Sequence, residues 1–218
     1  MLNNFTILDK INVEYLNEQL LDNTNLLKIK DASFYKNIPQ DHLILWCHNN
    51  GIYGLPTTEL INWLKDFIDD EIAIEIGAGN GAIGRALNIP ITDSCIMEIN
   101  EVALYYLAMG QPLTKYPNDI IKLDAISTIK KYNPTIVIGC WVTQIYREED
   151  GEKQSSSIFG IDEEFILKNV KKYIVIGNRT VHGQKRILKI PHIELQFPWL
   201  FSRSTYPNDN IIYIWERN

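Results

Sequence analysis

The chain has 218 residues, three cysteines, a 45% hydrophobic share and a formal net charge of −6. That length suits one domain with an elaboration, and no apolar run of about 18 residues offers a membrane span. The acidic balance argues against tight, non-specific nucleic-acid binding.

The charge is uneven. Residues 1–70 carry five lysines against ten acids, hence −5, and the remainder carries 16 bases against 17 acids, hence −1. Cys47, Cys95 and Cys140 are far apart, with no Cys-x-x-Cys pair. Reduced thiols in a cytoplasmic protein are expected, rather than a disulfide frame or a zinc site. The four histidines also lack metal-ligand spacing, so no metal is predicted. Met1–Lys10 lacks the basic-then-apolar order of a secretory signal.

Residues 1–70 read as helical. Val13, Leu16, Leu20 and Leu21 recur at helical spacing, and Asp41 can cap a helix that ends at Gly51. The turn Ile52-Tyr53-Gly54-Leu55-Pro56-Thr57 holds an aromatic between glycines, shaped as a loop rather than a helix. Thr57 suits an N-cap, and the helix after it buries Leu60, Ile61, Leu64 and Ile68 on one side.

Ile72–Ile76 is short, apolar and β-branched, as a strand buried on both faces reads. Gly77, Gly79 and Gly81 follow at alternate positions, where glycine permits φ > 0 and a close ligand approach. Ala82–Leu87 then starts a short helix. Strand, glycine turn and helix form the phosphate-cradling layout of a nucleotide site. Glu75, inside the strand, suits a cationic ligand better than a pyrophosphate.

The alternation continues. Strands are expected at Ile89–Thr92, closed by Asp93, at Ile120–Leu123, followed by Asp124, at Thr135–Gly139 and at Tyr173–Gly177. Helices are expected at Asn100–Met109, Ile126–Tyr132 and Asp162–Lys172. Arg147–Ser157 is a polar loop with the composition of a mobile segment. Ile193–Phe197 and Ile211–Trp215 have only a loop between them, so they should pair antiparallel. The prediction is a three-layer α/β sandwich. Its seven-stranded sheet is mostly parallel and ends in an antiparallel hairpin, with an N-terminal helical extension over 1–70 and the core over 71–218.

The pattern Glu75-x-Gly77-x-Gly79-x-Gly81, with seven strands ending in a hairpin, resembles the class I S-adenosylmethionine (SAM)-dependent methyltransferases over residues 71–218. The resemblance implies SAM as cofactor. Glu75 and the amides of Gly77, Ala78, Gly79 and Gly81 would hold its methionine part, and Asp93 its ribose, with Glu98 as substitute if that strand is misplaced. Asp124 and the amide of Ala125 would hold the adenine, and Asp124 can also cap the helix at Ile126, the two roles being compatible. Tyr53 would close over the cofactor as a lid. Cys140, at a strand end, belongs to the cofactor wall as a buried thiol rather than a nucleophile. Trp141 either walls the acceptor pocket or is core.

His182, just past the fifth strand, is the candidate base. From Lys168 to Lys189 seven basic residues occur without an acid. Lys185 and Arg186 either dock an anionic acceptor or are solvated. The motifs of nucleobase amino-methylating and cytosine-C5 enzymes are missing, so the acceptor is unidentified, a small molecule or protein rather than nucleic acid. A non-catalytic SAM-binding protein and an NAD-dependent oxidoreductase are the alternatives.

Overall fold

The structure is a computed structural model, which describes residues 11–148 and 156–217. Seven strands form the main sheet: β1 (Ala73–Ile76), β2 (Ile91–Asp93), β3 (Ile121–Lys122), β4 (Ile136–Cys140), β5 (Lys172–Asn178), β6 (Ile193–Leu195) and β7 (Asn210–Glu216). Their spatial order is β3-β2-β1-β4-β5-β7-β6. From β3 to β5 every pair is parallel. β7 runs antiparallel to both β5 and β6. This is a doubly wound order with one antiparallel strand inserted before the last, and the order in which strands are added reverses between the parallel neighbours β1 and β4.

The helices are α1 (Gln40–Asn49), α2 (Thr58–Ile68), α3 (Ala82–Leu87), α4 (Asn100–Ala108), α5 (Ala125–Tyr132) and α6 (Glu163–Asn169), with shorter turns between. Successive strand side chains point to opposite faces, and both faces are covered. Ile136, Ile138, Ile174, Ile176, Ile212 and Ile214 pack against Leu60, Ile61 and Leu64 of α2 and Ile83 of α3. Val137, Tyr173, Val175, Ile211 and Tyr213 pack against Ile129 of α5 and Ile166 of α6. Isoleucine dominates the central strands because a β-branched side chain fits a pleated surface buried on both sides.

The expected fold class is therefore the observed one, with local differences. β2 begins two residues later than predicted and includes Asp93. Val170 is extended, so α6 stops at Asn169 and β5 starts at Lys172. Thr57 caps α2 as expected, its Oγ1 accepting from the Leu60 N–H at 3.1 Å. Asp41 does not cap α1. Pro39 occupies that position, and Asp41 lies in the first turn. Proline pre-sets the backbone for helix entry at a position where no N–H is needed.

The N-terminal residues form their own cluster of Leu16, Leu20, Tyr35, Leu43 and Trp46, joined to the sheet through Leu55 and Ala82. Helix α2, counted with the extension in the sequence, packs on the sheet itself. Of the polar loop Arg147–Ser157, residues 149–155 lie outside the described residues. Ser156–Ser157 pairs with Gln144–Ile145 in parallel. Among the described residues, no helix is long and apolar enough to cross a membrane.

Candidate functional site

The glycine turn is built as a receptor for backbone-close contacts. Gly77, Gly79 and Gly81 all take left-handed φ values, of 55°, 53° and 72°. L-residues with a Cβ rarely adopt that region. The Gly81 N–H donates to the Ala78 carbonyl at 2.7 Å and closes the turn. Two buried carboxyls hold it from below. Asp93 accepts from the Gly79 N–H at 2.9 Å and from the Cys95 N–H at 2.8 Å. Glu75 accepts from the Gly84 N–H at 2.7 Å, which fixes α3 against β1. Gly84, which the sequence pattern left without a role, is required here. A Cβ on it would lie 2.3 Å from Ile91 Cγ2 and 2.8 Å from Glu75 Oε2.

Above the turn is a cleft of about 200 Å³ at the point where the sheet reverses. Glu75, Asp93 and all three turn glycines line it. Its roof has two parts. Residues 51–56 cross the end of β4, where Gly54–Leu55 pairs antiparallel with Phe201–Ser202. The segment 111–117 contributes Thr114 and Tyr116 to the lining. The two meet where Gly51 lies against Leu113, so closely that a Cβ on Gly51 would sit 2.3 Å from the Leu113 carbonyl oxygen. Arg203 ties them together. Its guanidinium stacks 3.7 Å from the Tyr53 ring centroid and donates to Gln111 Oε1 at 2.8 Å.

Tyr53 and Trp141 meet in the cleft wall with ring centroids 6.2 Å apart. Trp141 takes φ 58°, an uncommon conformation for so bulky a residue, and its backbone N–H donates to the Ile176 carbonyl at 2.8 Å. Cys140 also lines the cleft. Burial, reinforced by nearby Glu75, pushes its thiol well above the ordinary value, so it is no thiolate nucleophile.

Electrostatically the cleft is one-sided. Among its described lining residues are two carboxyls and no lysine, arginine or histidine. Burial pushes the Glu75 carboxyl up to about 8, although its bond from Gly84 opposes the shift. Burial also raises Asp93, against the pull of its two amide bonds. At Glu75 burial outweighs the charge of nearby Arg85, and a cationic ligand beside the carboxyl would favour its ionised form.

Three expected site groups are placed differently in the folded chain. Asp124 and Ala125 are not among the residues lining the cleft. Asp124 is exposed and caps α5, accepting from the Ser127 N–H at 2.9 Å and the Ser127 hydroxyl at 2.6 Å. His182 is buried beneath Trp141, edge-on to it at 5.1 Å, with Nδ1 accepting from the Asn178 N–H at 2.9 Å. Burial and the Lys185 charge drive its pKa down to about 3, which makes it a neutral support rather than a base. Lys185 and Arg186 do not present a free basic face. Lys185 is fully buried against Glu163 at 2.7 Å, and Glu163 also accepts from the Tyr173 hydroxyl at 2.9 Å. The Arg186 side chain donates to the Ile145 carbonyl at 3.0 Å and lies 3.4 Å from Glu164.

Other cleft residues had no motif to mark them. Met97, Phe159 and the pair Thr114 and Tyr116 reach the cleft from three separate segments, and only the folded chain brings them together.

No family model matches the chain, and no curated protein matches it. Among solved structures, protein 1320 of Thermoplasma acidophilum is similar at 12% identity and TM-score 0.31, over 80% of this chain and 86% of that one. A Pyrococcus horikoshii protein, provisionally described as an RNA methyltransferase, is similar at 13% identity and TM-score 0.32, over 86% and 90%. Likenesses this remote say nothing about chemistry.

Proposed function

We propose that this chain is a SAM-dependent methyltransferase that uses the cleft above the glycine turn. The observation that supports it is the charge of that cleft, where two buried carboxyls flank a left-handed glycine turn and no basic side chain is among the described lining residues. A dinucleotide would bring a pyrophosphate beside buried carboxyls that already resist ionising, with no basic side chain among the described lining residues to pair with it. A ligand with a sulfonium and an ammonium group meets them favourably, which ranks SAM above NAD.

The residues fit such a ligand. Glu75 and the backbone of Gly77–Gly81 would hold the amino-acid part. Asp93 would take the ribose, since a carboxylate offers about four lone-pair sites and amides occupy only one on each oxygen. With Asp124 withdrawn, the adenine falls to the segment Ser94–Met97. When bound, SAM supplies a methyl group already activated on a positively charged sulfur. The chain therefore has to align an acceptor and keep water out. Tyr53 and Trp141 wall the side where an acceptor would enter, and the joined roof segments exclude water. The three cysteines are free thiols, which supports a cytoplasmic setting.

Calorimetry with SAM, its demethylated product and NAD tests this reading. Binding of SAM and its product, with NAD much weaker, is expected. Binding of NAD in preference would overturn it. Release of the demethylated product from SAM in the presence of cell extract then tests catalysis, and tight binding without turnover would favour the non-catalytic alternative.

A further inference from the structure

A second groove, of about 430 Å³, lies beside the cleft. Ser157 and Phe159 line both, so the two spaces adjoin. Helix α4 supplies a ring to each. Tyr105 lines the groove and Tyr106 the cleft, packed edge to face with centroids 5.7 Å apart. Tyr146, Ile158 and Phe159 complete the apolar part of the groove. Its only charged residue among the described lining is Glu101, which is exposed and has no described cation paired with it. Aromatic faces carry negative potential. Beside a carboxylate they attract a cation, while their carbon frames cover an apolar body.

We propose that this groove binds the methyl acceptor, and that the acceptor is a small molecule with an amine on an aromatic body. Charge and continuity select it. An anionic acceptor would meet Glu101 in the groove and Glu75 and Asp93 in the cleft, with no lysine, arginine or histidine among the described lining residues of either space. The net charge of −6 adds attraction for a cation at longer range. A groove of this volume suits a small molecule. Glu101 and the rings gather the ammonium form from solution, and the amine then extends past Phe159 into the cleft. Transfer needs the lone pair on nitrogen, so the ammonium first gives its proton to water. A bond forms from nitrogen to the methyl carbon as the carbon–sulfur bond breaks. That electron pair stays on sulfur, and the positive charge passes to nitrogen. The transfer rests on the methyltransferase reading, whereas recognition of the amine rests on the groove alone.

Calorimetry of the full chain with 2-phenylethylamine and with phenylacetate, each with and without SAM, tests recognition. The amine should bind, and phenylacetate at least about tenfold more weakly. Glu101→Gln should weaken the amine about two- to fivefold, by less at high salt. Tyr146→Ala should weaken it at least about fivefold through the lost ring contact. Neither change should alter SAM affinity. Leu104→Ala, on the same helix but outside the groove lining, should leave amine binding as it is. With SAM present, mass spectrometry should find the amine methylated. No binding of the amine, equal or tighter binding of phenylacetate, or amine binding indifferent to both groove variants would overturn the proposal. Amine and SAM both bound without methylation would overturn the acceptor role. Amine binding that depends on Glu101 and Tyr146 in a chain that does not bind SAM would overturn the methyltransferase reading and leave the amine site standing.

Discussion

At the scale of single residues, similar side chains at strand ends are divided by burial. Asp93 ends one short strand and Asp124 comes just after another, yet one is buried under the glycine turn and the other is an exposed cap. Asp124→Ala should therefore destabilise the chain by about 0.5–2 kcal/mol through loss of the cap, with SAM affinity unchanged. Urea unfolding beside calorimetry checks this, and a parallel loss of affinity would return Asp124 to the cofactor site.

Glu75 predicts a pH dependence. Its folded pKa of about 8 lies above the ordinary 4.5, so between those values the folded chain keeps a proton that the unfolded chain gives up. Stability then falls as pH rises through that window. His182, lowered from 6.5 to about 3, acts in the opposite sense below 6.5. The Glu75 effect therefore lies clear of His182 between about 6.5 and 8, at no more than about 1.4 kcal/mol per pH unit, while buried Lys185, whose pKa is lowered, acts in the opposite sense where it titrates. Glu75→Gln keeps an acceptor for the Gly84 N–H and should flatten that slope. Unfolding free energies of both proteins at the two ends of the window would show it.

At the scale of elements, the roof is the feature that a motif search passes over. Gly51 and Gly54 read locally as turn glycines, but each also lets a segment approach another backbone or a strand end. Gly51→Ala introduces strain at φ 64° and a clash with the Leu113 carbonyl, which should push the two roof segments apart. SAM should then dissociate at least severalfold faster. Gly110→Ala is the control, because it has the same kind of strain at φ 67° with nothing within 4 Å of the added atom. Stopped-flow displacement that finds the two variants alike would show that the roof contact does not retain the ligand.

At the scale of the whole molecule, the Lys185–Glu163–Tyr173 group ties α6, β5 and the segment after β5 into one unit. Lys185→Met leaves Glu163 buried without its counter-charge and should cost about 3–5 kcal/mol. That is a large share of a typical total of about 5–15 kcal/mol. Adding Glu163→Leu should recover part of the loss, because an apolar pair has no charge to desolvate. Chemical denaturation of the single and double variants measures this. A single variant as stable as the wild type would show that the pair is solvated.

The sequence by itself determined what neighbouring residues can encode. β-branched runs marked the strands, alternating glycines marked the turn, Thr57 marked a helix start, and the missing helix before the last strand marked the antiparallel end of the sheet. Each of these follows from backbone preference or side-chain periodicity over a few residues. The tertiary structure alone decided which polar groups are buried, and beside what. It set Lys185 against Glu163, 22 positions away, and made that one lysine of the basic stretch a buried tie. It lowered His182 beneath Trp141, and it closed residues 51–56 against 111–117 over the glycine turn. Charge state and access depend on what distant segments pack around a group, and no local pattern carries that information.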